Sequence, residues 1–412
     1  MYDQNTISQS GQADGEKFRV ATVEQARNFF PSSDHVDVPP LGIFTKSQVN
    51  LTAQGLQRIH EFLLQDQSAK LLPKERVCNC LKKRIDRHKP RDIKYNENRK
   101  KAHWSNVQRC GSVWTCPVCA KQITEKRRSE LSDAVNTWKK NHDGYLQLLT
   151  LTFSHSVNES LRSLLERQKK AYKIFLETTK VKDILRAMGV KHKIRSFELT
   201  YGRNGWHPHF HILMFTDRFY YEGSEHTDTL TQLWIKSCVR AGLAAPSMEH
   251  GLDLRDGTYA EKYVSKWGLE QEMTKGHIKQ GRNGSLTPFD LLQYSMVDAS
   301  MNNRTIASLY QEYGICTKGA RQLVWSRGLK SLLNISEKSD EELAEETEEE
   351  AITMRTVDDF AFSLLCHYQK RHEFLRCLER DWENGCFGNG EAERLLIALC
   401  EEQLRKYDNM YT

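Results

Sequence analysis

The sequence predicts an α+β fold, a central antiparallel sheet carrying helices, and three stretches predict it. Tyr145–Phe153 (YLQLLTLTF) is a short β-rich apolar run that reads as a buried strand. Residues 158–188 place leucines and aromatics at helical spacing, which makes a helix or a helix pair. Lys193–Tyr201 and Trp206–Phe215 then alternate like two strands joined by the turn residues Gly202–Gly205. Strand, helices and hairpin in that order favour an antiparallel sheet with helices on one face over repeated βαβ units. There is no internal repeat and no glycine-rich phosphate loop.

The remaining elements follow from composition. At 412 residues the chain exceeds one ordinary core, so a central domain with appended modules is expected. Residues 1–60, rich in Gln, Ser, Asp and Asn, read as a poorly ordered N-terminal arm. Residues 70–135 form a basic, cysteine-bearing region, and residues 140–335 the sheet domain with a downstream element. Residues 336–353 read as an acidic linker or exposed helix, and 354–412 as a C-terminal helical segment with amphipathic spacing from Phe360 and Leu364 to Leu396 and Leu399.

The formal charge of +6 hides a segregation. Residues 70–130 hold 18 Lys/Arg against 6 Asp/Glu, an excess of 12 that suits a polyanion such as nucleic acid, although a merely solvated basic face has the same composition. Glu337–Ala351 runs the other way, with nine acidic residues and one lysine. Eleven cysteines and no secretory signal pattern point to a reducing cytoplasm, and no apolar run is long enough for a bilayer, so a soluble protein without a membrane partner is expected.

His207, His209 and His211 occupy alternate positions of the second hairpin strand and therefore point to one face. If the hairpin turns about Arg203 and Asn204, Glu198 lies directly across from His209. Two imidazoles and a carboxylate leave coordination positions open, as a catalytic metal requires; a polar face of solvent-exposed histidines is the competing reading. Mg²⁺ or Mn²⁺ suits a carboxylate shell completed by phosphate oxygens, and two imidazoles would also accept zinc.

Asp256–Gly268 (DGTYAEKYVSKWG) carries helix signals, with Thr258 and Glu261 as a capping box and Gly268 as a C-terminal cap. Tyr259, Lys262, Tyr263 and Lys266 fall on one face and Ala260, Val264 and Trp267 on the other. A phenol can attack a phosphodiester when a metal and lysines stabilise the developing charge; simple packing of both tyrosines is the alternative. Upstream, Cys116-Pro-Val-Cys119 has zinc-knuckle spacing. Cys78, Cys110, Cys116 and Cys119 are the favoured structural zinc ligands, with Cys80 or His103 as rivals for the fourth place, and ordinary buried cysteines as the competing picture. Lys82, Lys83, Arg84, Arg127 and Arg128 would then sit on a metal-stiffened, DNA-binding platform, together with Arg99, Lys100 and Lys101.

Together these stretches resemble the plasmid rolling-circle replication initiators of the HUH endonuclease superfamily. His209-Phe210-His211 resembles the superfamily's His-hydrophobe-His metal motif, Leu149–Phe153 its preceding strand, and Tyr259–Lys266 its third motif, in the family's order. Lys318–Leu333 is similar to a downstream element of these proteins and Arg109–Cys119 to their cysteine block, so the resemblance covers residues 75–335. It implies an HUH-type nuclease domain in which His209 and His211 bind a divalent cation, Tyr263 is the nucleophile, and Lys262 or Lys266 contacts DNA. It further implies a metal-dependent, single-strand endonuclease and strand transferase that nicks plasmid origin DNA through a 5′-phosphotyrosine. Single-stranded DNA, a host helicase and a host polymerase are its implied partners. Many such initiators have a glutamate where this chain has Tyr259, an arrangement closer to the paired tyrosines of single-stranded DNA phage initiators, which implies a second strand transfer by Tyr259. An HUH transposase, a conjugative relaxase and a non-catalytic zinc-containing DNA-binding regulator are the alternatives.

Overall fold

The computed structural model describes residues 53–142, 144–218, 225–257, 285–345, 351–386 and 388–411. In chain order its elements begin with α1 (Ala53–Leu71), β1 (Arg91–Asn96), β2 (Lys101–Trp104), α2 (Pro117–Asn141), β3 (Tyr145–Leu151), α3 (Leu161–Glu177) and α4 (Thr179–Ala187). The hairpin β4 (Val190–Gly202) and β5 (Gly205–Thr216) follows, then α5 (Glu225–Ala241), β6 (Leu252–Asp256), α6 (Pro288–Tyr294), β7 (Ser300–Met301), β8 (Arg304–Thr305) and α7 (Ile306–Cys316). The chain continues with β9 (Leu323–Trp325), α8 (Leu329–Leu332), α9 (Asp340–Glu345), β10 (Ala351–Val357), α10 (Asp359–His367), α11 (Arg371–Glu383) and α12 (Glu391–Tyr411). The fold is α+β, as expected.

The central sheet has five strands in the order β6-β3-β5-β4-β9, each pair antiparallel. One face presents Leu149, Leu151, Phe197, Leu199, Trp206, Phe210, Ile212 and Met214 to the main core. Helix α3 covers part of it because Leu161, Leu164, Leu165, Gln168, Ala171 and Phe175 recur on one stripe, started by Ser160, whose side chain accepts from the Ser163 amide. Phe175 meets Trp234 of α5 edge-on at 5.6 Å between ring centroids, and Tyr172 of α3 lies 5.2 Å from Phe210. Each such fully buried Leu or Phe contributes about 1.5–3 kcal/mol.

The opposite face is divided. Leu146, Leu213, Phe215 and Ile194 are sealed under Leu131, Ala134, Val135 and Trp138 of α2 and under Leu329 and Leu333. The sequence of β5 records this division: His207, His209 and His211 alternate with apolar residues, and the alternation stops at Ile212-Leu213-Met214-Phe215, where both faces are buried. The histidine half lies beyond this seal. The turn that sets the hairpin register depends on Gly205, whose φ is +89° and where a Cβ would stand 2.8 Å from the Val157 Cα.

A second sheet, β10-β1-β2, joins two parts of the chain far apart in sequence. Residues 336–353, expected as an acidic linker or exposed helix, contain helix α9 and also the start of β10, which pairs antiparallel with β1 from Asn96↔Ala351 to Arg91↔Val357. Residues 53–60, expected as part of the arm, lie in α1. The C-terminal helices pack on this assembly: Trp104 of β2 meets Phe362 at 5.0 Å, and Arg371, only 1% exposed, pairs with Asp66 of α1 at 2.6 Å and donates to the Leu81 carbonyl. Among the described residues no helix is long and apolar enough to cross a membrane.

Candidate metal centres

The register of the hairpin pairs Glu198 with His209 and Ser196 with His211, as a turn at Arg203 and Asn204 predicts. One carboxylate oxygen of Glu198 lies 2.7 Å from His209 Nε2 and 2.9 Å from His211 Nε2. The outer nitrogens are held from behind. His209 Nδ1 lies 3.3 Å from the His207 carbonyl, an acceptor, so Nδ1 donates there while Nε2 donates to Glu198, a proton whose place a bound cation would take. His211 Nδ1 lies 3.0 Å from the hydroxyl of Thr150, its cross-strand neighbour on β3. Burial opposes ionisation of Glu198, but hydrogen bonds and charge from His209 and His211 outweigh it and hold the carboxyl well below its ordinary range. The ligand atoms of these three residues lie within 4.8 Å of one another, and their chemistry fits a divalent cation with open positions.

His207 faces a residue that sequence reasoning missed. His155, after β3, has Nδ1 3.0 Å from the Asn204 carbonyl and Nε2 2.7 Å from His207 Nδ1. The carbonyl accepts, so His155 Nδ1 donates and its Nε2 accepts from His207. Burial, with the charges of His209 and His155, lowers the pKa of His207 to about 3. The only sequence signal for His155 was its place two residues past the strand read at Tyr145–Phe153. Tyr259, Lys262, Tyr263 and Lys266 lie outside the described residues. The chain enters that stretch after Gly257 at the end of β6, and beyond it Leu286 forms a two-bond bridge with Tyr201 of β4.

The cysteine cluster contains Cys80, Cys110, Cys116 and Cys119, all buried. Sulfur separations are 3.5 Å for Cys80 and Cys119 and 3.7 Å for both Cys110–Cys119 and Cys116–Cys80. A zinc ion held by four thiolates at about 2.3 Å requires tetrahedral edges of about 3.8 Å, so these donors fit. Cys78 is the correction: the 3-10 turn Arg76–Asn79 directs its thiol to the Leu72 carbonyl at 3.0 Å, while Cys80, fully buried, joins the cluster. His103, the other rival, sits on β2 outside the cluster. Cys116 caps α2 at its N-terminus with Pro117 at the first helical position, and the Cys110 amide donates to Cys80 Sγ at 3.4 Å. Hydrogen bonds from the thiols of Cys110, Cys116 and Cys80 hold the Cys119 thiol well below its ordinary range, against the effect of burial.

The basic residues expected to meet DNA are largely engaged within the protein. Lys82 pairs with Asp66, Arg84 with Asp359, and Arg128 with Glu125. Arg127 is saturated: it reaches Glu130 at 2.9 Å, Asp340 at 2.8 Å and the Lys338 carbonyl at 2.7 Å, so it offers no free donor face as it stands. Lys83 is exposed.

Residues 101–242 match Rep_1, a replication protein family. The chain is similar to a protein rep of Streptomyces lividans, 26% identical over 294 residues, which covers 56% of this chain and 64% of the relative. It is also similar to a neomycin resistance protein of Streptomyces cyanogenus, 27% identical over 131 residues, covering 26% of this chain and 30% of the relative. The chain thus spans just under two thirds of the first relative's length and under a third of the second's. No solved structure matches. The matched span runs from β2 to the end of α5 and holds both clustered histidines, Glu198 and three of the four clustered cysteines. Residues 101–242 of this chain are thus similar to the Rep_1 replication protein family.

Proposed function

We propose that the chain initiates rolling-circle replication by nicking one strand at the origin of a plasmid or similar small replicon, and rejoins the displaced strand at termination. The observation that carries this reading is the convergence of His209, His211 and Glu198 on one half of a sheet face, within the span similar to Rep_1. These three residues would hold Mg²⁺ or Mn²⁺, which when bound supplies Lewis-acid polarisation of a phosphodiester oxygen. The protein's own part is to keep the ligands in place. Thr150 and the His207 carbonyl fix the two rings, and Glu198, ionised by its setting, contributes the negative charge.

Tyr263 is assigned as the nucleophile. Its phenolic oxygen bonds to phosphorus, the O3′–phosphorus bond breaks, and the phenolic proton is lost as the 3′ hydroxyl forms. The products are a 5′-phosphotyrosine and a primer end for a host polymerase, behind a host helicase. Tyr259 takes the second transfer, and Lys262 and Lys266 neutralise charge on the strand. Cys80, Cys110, Cys116 and Cys119 would hold a structural Zn²⁺ that stiffens the basic region bearing Lys82, Lys83, Arg84, Arg127 and Arg128, where the origin is recognised.

The test is incubation of the purified chain with labelled single-stranded origin DNA and Mn²⁺, followed by mapping of the covalently modified residue. An adduct on Tyr263 is expected in the wild type, and none in Tyr263→Phe, His209→Ala or Glu198→Gln. A wild-type protein that retards origin DNA but forms no adduct would instead be a DNA-binding regulator.

A further inference from the structure

We infer that a cleft between β9, α2 and the acidic segment is a subsite for the phosphate backbone of single-stranded DNA, with Asp340 holding a phosphate's place until the strand displaces it. The inference rests on the proposed nicking function for its choice of ligand. The cleft has a volume of about 550 Å³, and its basic wall presents Arg127, Arg321, Lys330 and Trp325.

Its position follows from register. Leu323 pairs with Ser196, which pairs in turn with His211, and Trp325 pairs with Ile194. Side chains at paired positions share a face, so Leu323 and Trp325 lie on the face that carries the histidines and Glu198. Leu323 is two strand spacings, about 10 Å, from His211. One strand of DNA crossing the metal ligands can therefore continue over the edge strand β9 into the cleft.

The chemistry of the wall is that of a strand-binding groove, cations beside an aromatic plane. Lys330 Nζ sits 5.1 Å from the Trp325 ring centroid and 3.1 Å from Glu130, which it shares with Arg127. Arg127 turns its Nε and one Nη to a single Asp340 oxygen, at 3.2 and 2.8 Å, using the edge with which a guanidinium grips two oxygens of a phosphate. Arg321 is exposed and, among the described residues, takes part in no ion pair. Arg127 and Lys330 thus share one built-in carboxylate, Glu130, and Arg321 and Lys338 add two further cations to the lining. The acidic groups at the mouth, Glu337, Asp340 and Glu341, all come from the segment opposite. Glu341 is drawn aside to Arg76, so Asp340 alone of these meets the basic wall in an ion pair among the described residues. A polyanion entering the cleft competes with Asp340 for Arg127 and finds Arg321 open.

The experiment is fluorescence anisotropy of the full chain with a labelled single-stranded oligonucleotide, without chelator and without added Mg²⁺ or Mn²⁺, over a range of salt. Arg321→Gln should weaken binding roughly three- to tenfold and lower the salt slope by about 0.7. Asp340→Asn should tighten binding by a similar factor. Arg321 is exposed, so its variant keeps its melting temperature and remains informative even if Asp340→Asn unfolds. Unchanged affinity and salt slope in Arg321→Gln would overturn the inference, as would preferential loss of duplex rather than single-strand binding. Intact Arg321-dependent binding without any Tyr263 adduct would sink the nicking function and leave the cleft standing. Normal adduct formation with Arg321-independent binding would do the reverse.

Discussion

Replacing Cys80 by serine separates the cysteine cluster from its neighbour in sequence, since Cys78→Ser is the matched control two residues away. Structural zinc sites are worth about 10–16 kcal/mol near neutral pH, so one of four equivalent thiolates carries about 3 kcal/mol, or roughly a hundredfold in zinc retention. Cys80 lies 3.5 and 3.7 Å from two of the other sulfurs, and its own sulfur accepts from the Cys110 amide, so a shorter oxygen ligand also strands that amide. Cys78 loses only a thiol hydrogen bond to the Leu72 carbonyl, about 0.5–1.5 kcal/mol. The assay is zinc content after dialysis against graded chelator, with thermal unfolding of the same samples. Cys80→Ser should release zinc at about a hundredfold lower chelator strength and melt earlier, while Cys78→Ser retains one zinc per chain. Loss of zinc from Cys78→Ser with retention in Cys80→Ser would refute the assignment.

Three further outcomes follow from the packing. Arg371→Met leaves Asp66 buried with Lys82 as its remaining cation, and should cost about 3–5 kcal/mol in urea unfolding; a change below 1 kcal/mol would mean the C-terminal helices dock by apolar contact alone. Burial and the surrounding Lys370 and Arg371 lower the pKa of His372 to about 3, so its neutral form favours the folded state above its ordinary value of 6.5, and that stability is lost as pH falls from 6.5 towards 3. The loss should reach about 2 kcal/mol at pH 5 in denaturant titrations and vanish in His372→Phe; an unchanged acid slope in that variant would contradict it. Gly205→Ala meets both a left-handed φ and the Val157 backbone, and should lower stability by about 1–3 kcal/mol, against near-neutrality if the turn is plastic.

The hairpin was legible in detail because a period of two and four turn residues leave one register: Glu198 opposite His209 follows from counting alone. The helical stretch 158–188 resolved into α3 and α4, broken at Thr178, which caps one helix and starts the next. The fourth sulfur was not legible. Cys78 and Cys80 are two positions apart, and only the 3-10 turn between α1 and β1 decides which thiol turns inward. Nor was β10, since Ala351–Val357 (AITMRTV) has a weak pattern and is a strand through its partner, β1, far away in sequence. His155 was missed for a similar reason: its role comes from a contact with His207, not from any local spacing.

The pairing of β1 with β10 has a consequence for how the chain is made. Ala351 follows Asn96 by 255 residues (351 − 96), so at about 5–20 residues per second the ribosome needs roughly 13–51 s to deliver the third strand. Throughout that interval β1 and β2 are a bare hairpin, an arrangement marginal by itself in water, with an open backbone edge. Nascent chains that stall before residue 351 therefore expose an adhesive edge, and chaperone demand during translation should fall once Ala351–Val357 has left the ribosome and paired.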